Sequence, residues 1–174
     1  MNTNHILEIK RLQDAGKAAI CARMMAQSEP WITLKRDYAA SLEIIIDPMR
    51  EVYIAVRNGE IVGFIVIILR GAFTGYIQSV CIAPEWRDRG IGGQLMAFAE
   101  RRIFDESPNV FICVSSFNKS ALRLYERLGY ETIGELKDYV ISGYSEILMR
   151  KTIGSLKEFK KRDQAFESVP EKRS

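Results

Sequence analysis

Ile82-Ala83-Pro84-Glu85-Trp86-Arg87-Asp88-Arg89-Gly90-Ile91-Gly92-Gly93-Gln94-Leu95 runs from the end of a strand, through a turn rich in arginine and glycine, into an amphipathic helix. Ahead of it, Tyr76 to Ile82 is short and rich in Tyr, Ile and Val, the composition of a buried strand. Behind it, Ile91, Leu95, Phe98 and Ala99 recur at helical spacing. The glycines therefore open a helix. Gly90, Gly92 and Gly93 carry no Cβ, so a pyrophosphate can approach the backbone closely and meet unpaired N–H groups and the positive end of the helix dipole. Arg87 and Arg89 add charge on either side of Asp88.

Outward from this turn the chain alternates strand and helix signals. A strand near Leu7 to Lys10 precedes a helix from Asp14, a capping residue, to Met25. Ser28-Glu29-Pro30-Trp31 breaks that helix, because Pro30 lacks an N–H, and a second helix is predicted from Tyr38 to Ile46. Glu51 to Arg57 and Glu60 to Leu69 read as a hairpin through Asn58-Gly59, and a further strand starts at Gly75. After the Arg/Gly turn and its helix come an apolar strand, Val110 to Val114, and a helix, Asn118 to Leu128, with Ala121, Leu124, Tyr125 and Leu128 on one face. Two last strands, Glu131 to Asp138 and Tyr144 to Lys151, are separated by Ser142-Gly143.

With 174 residues, 47% of them hydrophobic, the chain suits one domain, 1–153, followed by a charged tail, 154–174. The longest apolar run, Ile61 to Leu69, has strand length and falls short of a bilayer span, and Met1 to Arg11 lacks a signal-peptide core. Cys21, Cys81 and Cys113 are odd in number and lack C-x-x-C spacing, so no metal is expected and a cytoplasmic location is. A net charge of +3 argues against a nucleic-acid surface, although Lys157, Lys160, Lys161 and Arg162 form a local basic cluster.

Among phosphate-binding turns, a P-loop requires Gly-Lys followed by Ser or Thr, absent here. The dinucleotide fingerprint requires a third small residue where this chain has Leu95. Arg87-x-x-Gly90-x-Gly92 after Val80-x-Ile82-x-Pro84 resembles instead the coenzyme A motif of the GNAT superfamily of N-acetyltransferases. Asn118-x-x-Ala121-x-x-x-Tyr125-x-x-x-Gly129-Tyr130 resembles the superfamily's second signature, and together the resemblance covers Ile6 to Lys151. It implies an α/β (α+β) fold: a mixed, mostly antiparallel sheet of about seven strands with about four helices. In that fold a V-shaped split between strands four and five holds the pantetheine arm of acetyl-CoA.

The resemblance also implies roles. The backbone of Val80, Cys81 and Ile82 would line the cofactor slot, with Val80 and Ile82 pairing with the pantetheine amides as an added strand does. Arg87, Asp88, Arg89, Gly90, Ile91, Gly92 and Gly93 would hold the pyrophosphate, with Asn118 and Ala121 nearby; Asn118 serves equally well as a helix cap. An amine would attack the thioester directly, which calls for a neutral amine, a donor to the oxyanion and a proton for sulfur. Tyr125 is the expected proton donor, since a phenol near pKa 10 lies only about one to two units above a thiol near 8.5. The acceptor is expected between the segment holding Glu29, Trp31 and Tyr38, Tyr76 on strand four, and the loop holding Asp138, Tyr139 and Tyr144. These segments are most like the ribosomal-protein and N-terminal amine acetyltransferase branch.

No base is evident in the expected places. His5 is near the terminus, Cys113 occupies the strand-five position where that branch often has Glu or His, and Tyr76 and Gln78 are poor bases. That favours an α-amine near pKa 7.7 to 8.0 over a lysine near 10.4, a difference of about 3.4 kcal/mol. The expected partners are acetyl-CoA and an amine, with a protein N-terminus ahead of small-molecule amines, and the chain is expected as a monomer or homodimer away from membranes. A non-catalytic acyl-CoA-binding module and a tail that docks on RNA are the alternatives.

Overall fold

The computed structural model describes residues 6–159. Asp14 accepts a hydrogen bond from the Lys17 N–H at 2.8 Å and opens helix α1 (Ala15–Ala26). Asp37 does the same for the Ala40 N–H at 2.9 Å and opens α2 (Tyr38–Ile46). Asn58 and Gly59, at φ 53° and 82°, form the two-residue turn that joins β2 (Glu51–Arg57) to β3 (Glu60–Ile68). The remaining elements are β1 (Glu8–Arg11), β4 (Tyr76–Ile82), α3 (Ile91–Phe104), β5 (Asn109–Ser115), α4 (Lys119–Arg127), β6 (Glu131–Lys137) and β7 (Ser145–Thr152).

The seven strands form one sheet in the order β1-β2-β3-β4-β5-β7-β6, antiparallel throughout except between β4 and β5. Side chains alternate across it, so each face carries its own core. Val52, Ile54, Phe64 and Val66 pack with Ala18, Cys21, Met25, Ile44 and Ile45 beneath α1 and α2. Tyr53, Ile65, Ile67, Val110 and Ile112 pack with Ile91, Leu95, Ala99 and Tyr125 beneath α3 and α4.

Two irregularities in β4 part the sheet. Its register with β3 jumps from Val66↔Ser79 to Ile67↔Ile77, which leaves Gln78 as a bulged extra residue. Its parallel pairing with β5 is confined to Tyr76↔Phe111 and Ile77↔Ile112. Beyond Ile77 the strands diverge, and the edge of β4 from Gln78 to Ile82 has no strand partner on that side. The closed end is tied by Gly75, whose carbonyl accepts from the Phe111 N–H at 2.9 Å and whose N–H donates to Ile68 at 3.2 Å.

The sequence-based elements differ from these by a residue or so at their ends. The difference matters at β5, which extends to Ser115 where the apolar run predicts an end at Val114. Of the tail, residues 154–159 are described and form a turn closed by the Phe159 N–H to Ser155 at 3.2 Å. His5, Lys160, Lys161 and Arg162 lie outside the described residues.

Candidate functional site

A cleft of about 1240 Å³ passes between the diverging strands and opens on both faces of the sheet. On the α3–α4 face its wall is the Arg/Gly turn. Gly90 takes the left-handed conformation at φ 76° and ends the turn, so that α3 begins at Ile91 with its first N–H groups facing the cleft mouth. A Cβ at Gly90 or Gly93 would meet no atom within 4 Å, so both look onto open space rather than packed protein. Together with the unpaired β4 edge at Val80 and Ile82, this fits a long, amide-bearing ligand ending in phosphate.

The predicted cofactor residues fall into two groups. Val80, Cys81, Ile82, Arg87, Asp88, Gly90, Ile91, Gly92, Gly93, Asn118, Ala121 and Tyr125 line the cleft. Arg89 does not; its guanidinium lies 5.0 Å from the centroid of the Trp86 ring. Arg87 is engaged within the protein, donating to the Ile82 carbonyl at 3.3 Å and to Ser28 Oγ at 3.5 Å, which ties the turn to both the strand end and the segment after α1. Asn118 caps α4, its Oδ1 accepting from the Ala121 N–H at 3.2 Å. The Cys81 thiol points away from this half toward Ser28 and the Met24 carbonyl, each 3.8 Å away, and burial pushes its pKa up to about 11. It is a packed thiol rather than a nucleophile.

Tyr125 is 8% exposed, and its hydroxyl makes no hydrogen bond among the described residues. Burial pushes its pKa up to about 12, which keeps the phenol protonated at any working pH. The gap to a free thiol near 8.5 is therefore wider than the one to two units expected from an ordinary phenol. The same desolvation raises the pKa of a thiolate leaving into this slot, so the two groups move in the same direction.

The opposite face holds the residue that sequence reasoning missed. Glu146 on β7 is 6% exposed, lines the cleft and accepts a hydrogen bond from Ser115 Oγ at 2.6 Å. Ser115↔Glu146 and Cys113↔Leu148 are cross-strand pairs, so these side chains share the α1–α2 face of the sheet. Burial raises the Glu146 pKa from its ordinary 4.5, opposed by the Ser115 hydrogen bond and by the field of Arg36. Burial also pushes up the phenol of Tyr76, and the neighbouring Cys113 thiol and Glu146 carboxylate add to the shift. The sequence offers no base on β4 or β5, where the resemblance implies one; a carboxylate reaches the cleft instead from β7, through its pairing with the last residue of β5. The available signal is an acid directly before the apolar run Ile147-Leu148-Met149 of β7.

The predicted acceptor residues also divide. Glu29, Trp31, Tyr76 and Tyr139 line the cleft. Trp31, only 6% exposed, packs into the core beneath α1 and α2 as well. Tyr38, at the first turn of α2, lies outside the cleft lining. So does Asp138, whose carboxylate accepts from the Gly143 N–H at 2.7 Å and holds the β6–β7 loop closed. Tyr144 packs edge-on to Phe117, with ring centroids 4.9 Å apart.

Comparison with known proteins agrees with this architecture. An N-alpha-acetyltransferase, MAK3, of Arabidopsis thaliana is 32% identical over 95 residues, covering 52% of this chain and 50% of that protein. The chain therefore spans about half the length of that relative. An aminoalkylphosphonate N-acetyltransferase of Salmonella typhimurium is 28% identical over 124 residues, covering 68% and 78% respectively. The crystal structure of the ribosomal-protein-S18-alanine N-acetyltransferase from Escherichia coli superposes with a TM-score of 0.67 at 16% identity, covering 86% of this chain and 96% of that one, and so shares the fold. The family model for GNAT acetyltransferases matches residues 18–130, from α1 through both glycine-bearing signatures, and the chain belongs to the acetyltransferase (GNAT) family.

Proposed function

We propose that the protein is an acetyl-CoA-dependent N-acetyltransferase whose acceptor is a primary amine, with the α-amine of a peptide or protein ahead of lysine side chains and polyamines. The observation that carries this reading is the slot where β4 and β5 part, with open space at Gly90 and Gly93 on one face and a buried carboxylate on the other. Acetyl-CoA supplies an acyl group activated as a thioester. The β4 edge at Val80 and Ile82 and the N-terminus of α3 would hold it, leaving its sulfur toward Tyr125.

Glu146 then serves as the base. As the amine nitrogen bonds to the acyl carbon, it gives up its proton to Glu146 Oε; as the carbon–sulfur bond breaks, Tyr125 gives its proton to sulfur. A carboxylate raised above 4.5 is better matched to an α-ammonium near 7.7 to 8.0 than to a lysine ammonium near 10.4, so the base strengthens the α-amine preference. The Ser115 hydroxyl fixes the carboxylate's orientation at 2.6 Å.

Thiol release from acetyl-CoA, followed across N-terminal peptides, lysine peptides, polyamines and small amines, tests the reading. Turnover on α-amines above the others is expected; binding of acetyl-CoA without turnover on any acceptor would favour a non-catalytic acyl-CoA-binding module. Two substitutions separate binding from chemistry. Tyr125→Phe lowers kcat by roughly 10- to 100-fold with an unchanged acetyl-CoA Kd, and an unchanged kcat removes Tyr125 from the reaction. Gly93→Val places a side chain in the open space at the start of α3. It raises the acetyl-CoA Kd about tenfold or more, read by calorimetry, with little change in Tm, because the loss is of close approach to the helix N-terminus rather than of packing.

A further inference from the structure

Arg36 lies in the segment before α2, partly buried, on the same half of the cleft as Glu146. Its backbone N–H donates to the Trp31 carbonyl at 2.9 Å. Its guanidinium forms no ion pair within 4.0 Å and no side-chain hydrogen bond among the described residues. The nearby cation Arg50 is engaged, 3.0 Å from Asp47 and 3.4 Å from the Ile44 carbonyl. Glu29 on the same segment has its carboxylate taken by the Thr33 N–H at 3.2 Å.

Five N–H donors partly withdrawn from water are costly unless a partner arrives, and burial together with Arg50 already opposes the charge on Arg36. The groups it does face are Tyr76 and Glu146, the latter beyond ion-pair distance and occupied by Ser115. One half of the cleft therefore carries a buried anion and a partly buried cation that do not neutralise each other by contact. Arg70, exposed and two residues beyond the end of β3, also lines the cleft and forms no ion pair among the described residues. The open space at Gly90 and Gly93 is on the other face, so these charges are not accounted for by a cofactor held there.

We propose that Arg36 is an anion subsite and that the acceptor is an amine bearing a carboxylate, the nitrogen lying toward Glu146 and the carboxylate toward the guanidinium. A planar guanidinium fork matches a carboxylate with two parallel hydrogen bonds, which a lysine cannot reproduce. The proposal rests on the acetyltransferase reading for its naming of the acceptor, yet the charge selectivity is measurable without turnover. The carboxylate has two sources: the free α-carboxylate of an amino acid, or an acidic side chain next to a peptide's N-terminal residue.

The test is calorimetric binding, in the presence of coenzyme A, of two matched pairs: alanine against alaninamide, and the amidated peptide Ala-Glu-Ala-Ala against Ala-Gln-Ala-Ala. Thiol release from acetyl-CoA is measured alongside on the same pairs. In at least one pair the acidic member binds roughly 10- to 100-fold more tightly, and the pair that shows this identifies the source. Arg36→Gln abolishes the difference while leaving the neutral member's Kd within about twofold, and Arg36→Lys restores part of it. Equal affinity of acidic and neutral members in both pairs, including no measurable binding of either, overturns the proposal, as does a preference that survives Arg36→Gln. Loss of thiol release with the preference intact would sink the transferase reading and leave the subsite standing.

Discussion

Glu146→Gln lowers kcat about 100-fold at pH 7 with an α-amine acceptor, without weakening acetyl-CoA binding. The amide keeps an oxygen for the Ser115 hydroxyl and the volume of the side chain, so what is lost is the proton acceptor. The pH dependence identifies the cause. In the wild type the acid limb of kcat/KM reflects a carboxyl group titrating above its ordinary 4.5. In the variant the rate instead climbs with the fraction of neutral amine toward the α-amine's own pKa of about 7.7 to 8.0, and the ratio between the two proteins shrinks as pH rises. A ratio independent of pH would mean that Glu146 shapes the pocket without accepting the proton.

The same substitution leaves the fold intact, by linkage. Because the folded-state pKa of Glu146 is raised, the unfolded chain releases its proton first, near 4.5. Stability is therefore lost as pH rises from there to the folded value, and stays lost above it. A neutral glutamine removes that penalty, so at pH 7 to 8 the variant's Tm is expected at or above that of the wild type. A carboxylate kept where it costs stability marks a site shaped by something other than stability.

Gly75→Ala has the largest expected effect on stability, a loss of about 3 to 5 kcal/mol that lowers Tm by roughly 6 to 20 °C. At φ 89° a side chain is strained in any surroundings, and here a Cβ would come within 2.4 Å of the Asn109 carbonyl oxygen and 2.5 Å of Ile103 Cγ2. The first contact is with backbone of the very strand that Gly75 ties, through the Phe111 N–H at 2.9 Å. Relief of the clash therefore pushes β5 away from β4 at the closed end of the split. Gly71→Ala is the control: its φ is 109° but nothing lies within 4 Å, so it loses only the conformational part, about 1 kcal/mol. Equal Tm values for the two variants would show that the Asn109 contact relaxes freely.

The fold was legible because local signals agreed with one another. Asp14 and Asp37 sit where caps are needed, Asn58-Gly59 forms the turn its residues favour, and Pro30 falls between α1 and α2. The cofactor half was legible for a related reason: its residues are contiguous, and a strand, a glycine turn and a helix N-terminus come one after another in the chain. The other half of the cleft is lined by Arg36, Tyr76, Cys113, Ser115 and Glu146, which are distant in sequence and meet through sheet order. Only the placement of β7 beside β5, ahead of β6, brings Glu146 to Ser115. Tyr38 and Asp138 stand in the segments where the resemblance implies the acceptor, but their backbones carry them to a helix start and a turn closure.

The extra residue at Gln78 settles a problem of transport across a wall. Strict alternation along β4 would set Tyr76, Val80 and Ile82 on one side, since they differ by even steps. The inserted residue breaks that parity. Tyr76 consequently meets Cys113 and Glu146 above the sheet, while Val80 and Ile82 pack against the α3–α4 core below it. In the transferase proposed above, an acyl group held beneath would be handed to an amine arriving from above through a seam between strands, with no hole cut in a continuous sheet. The residues proposed to choose the amine would then stand a sheet's thickness from those proposed to hold the cofactor, so each set would be free to vary while the other stays fixed.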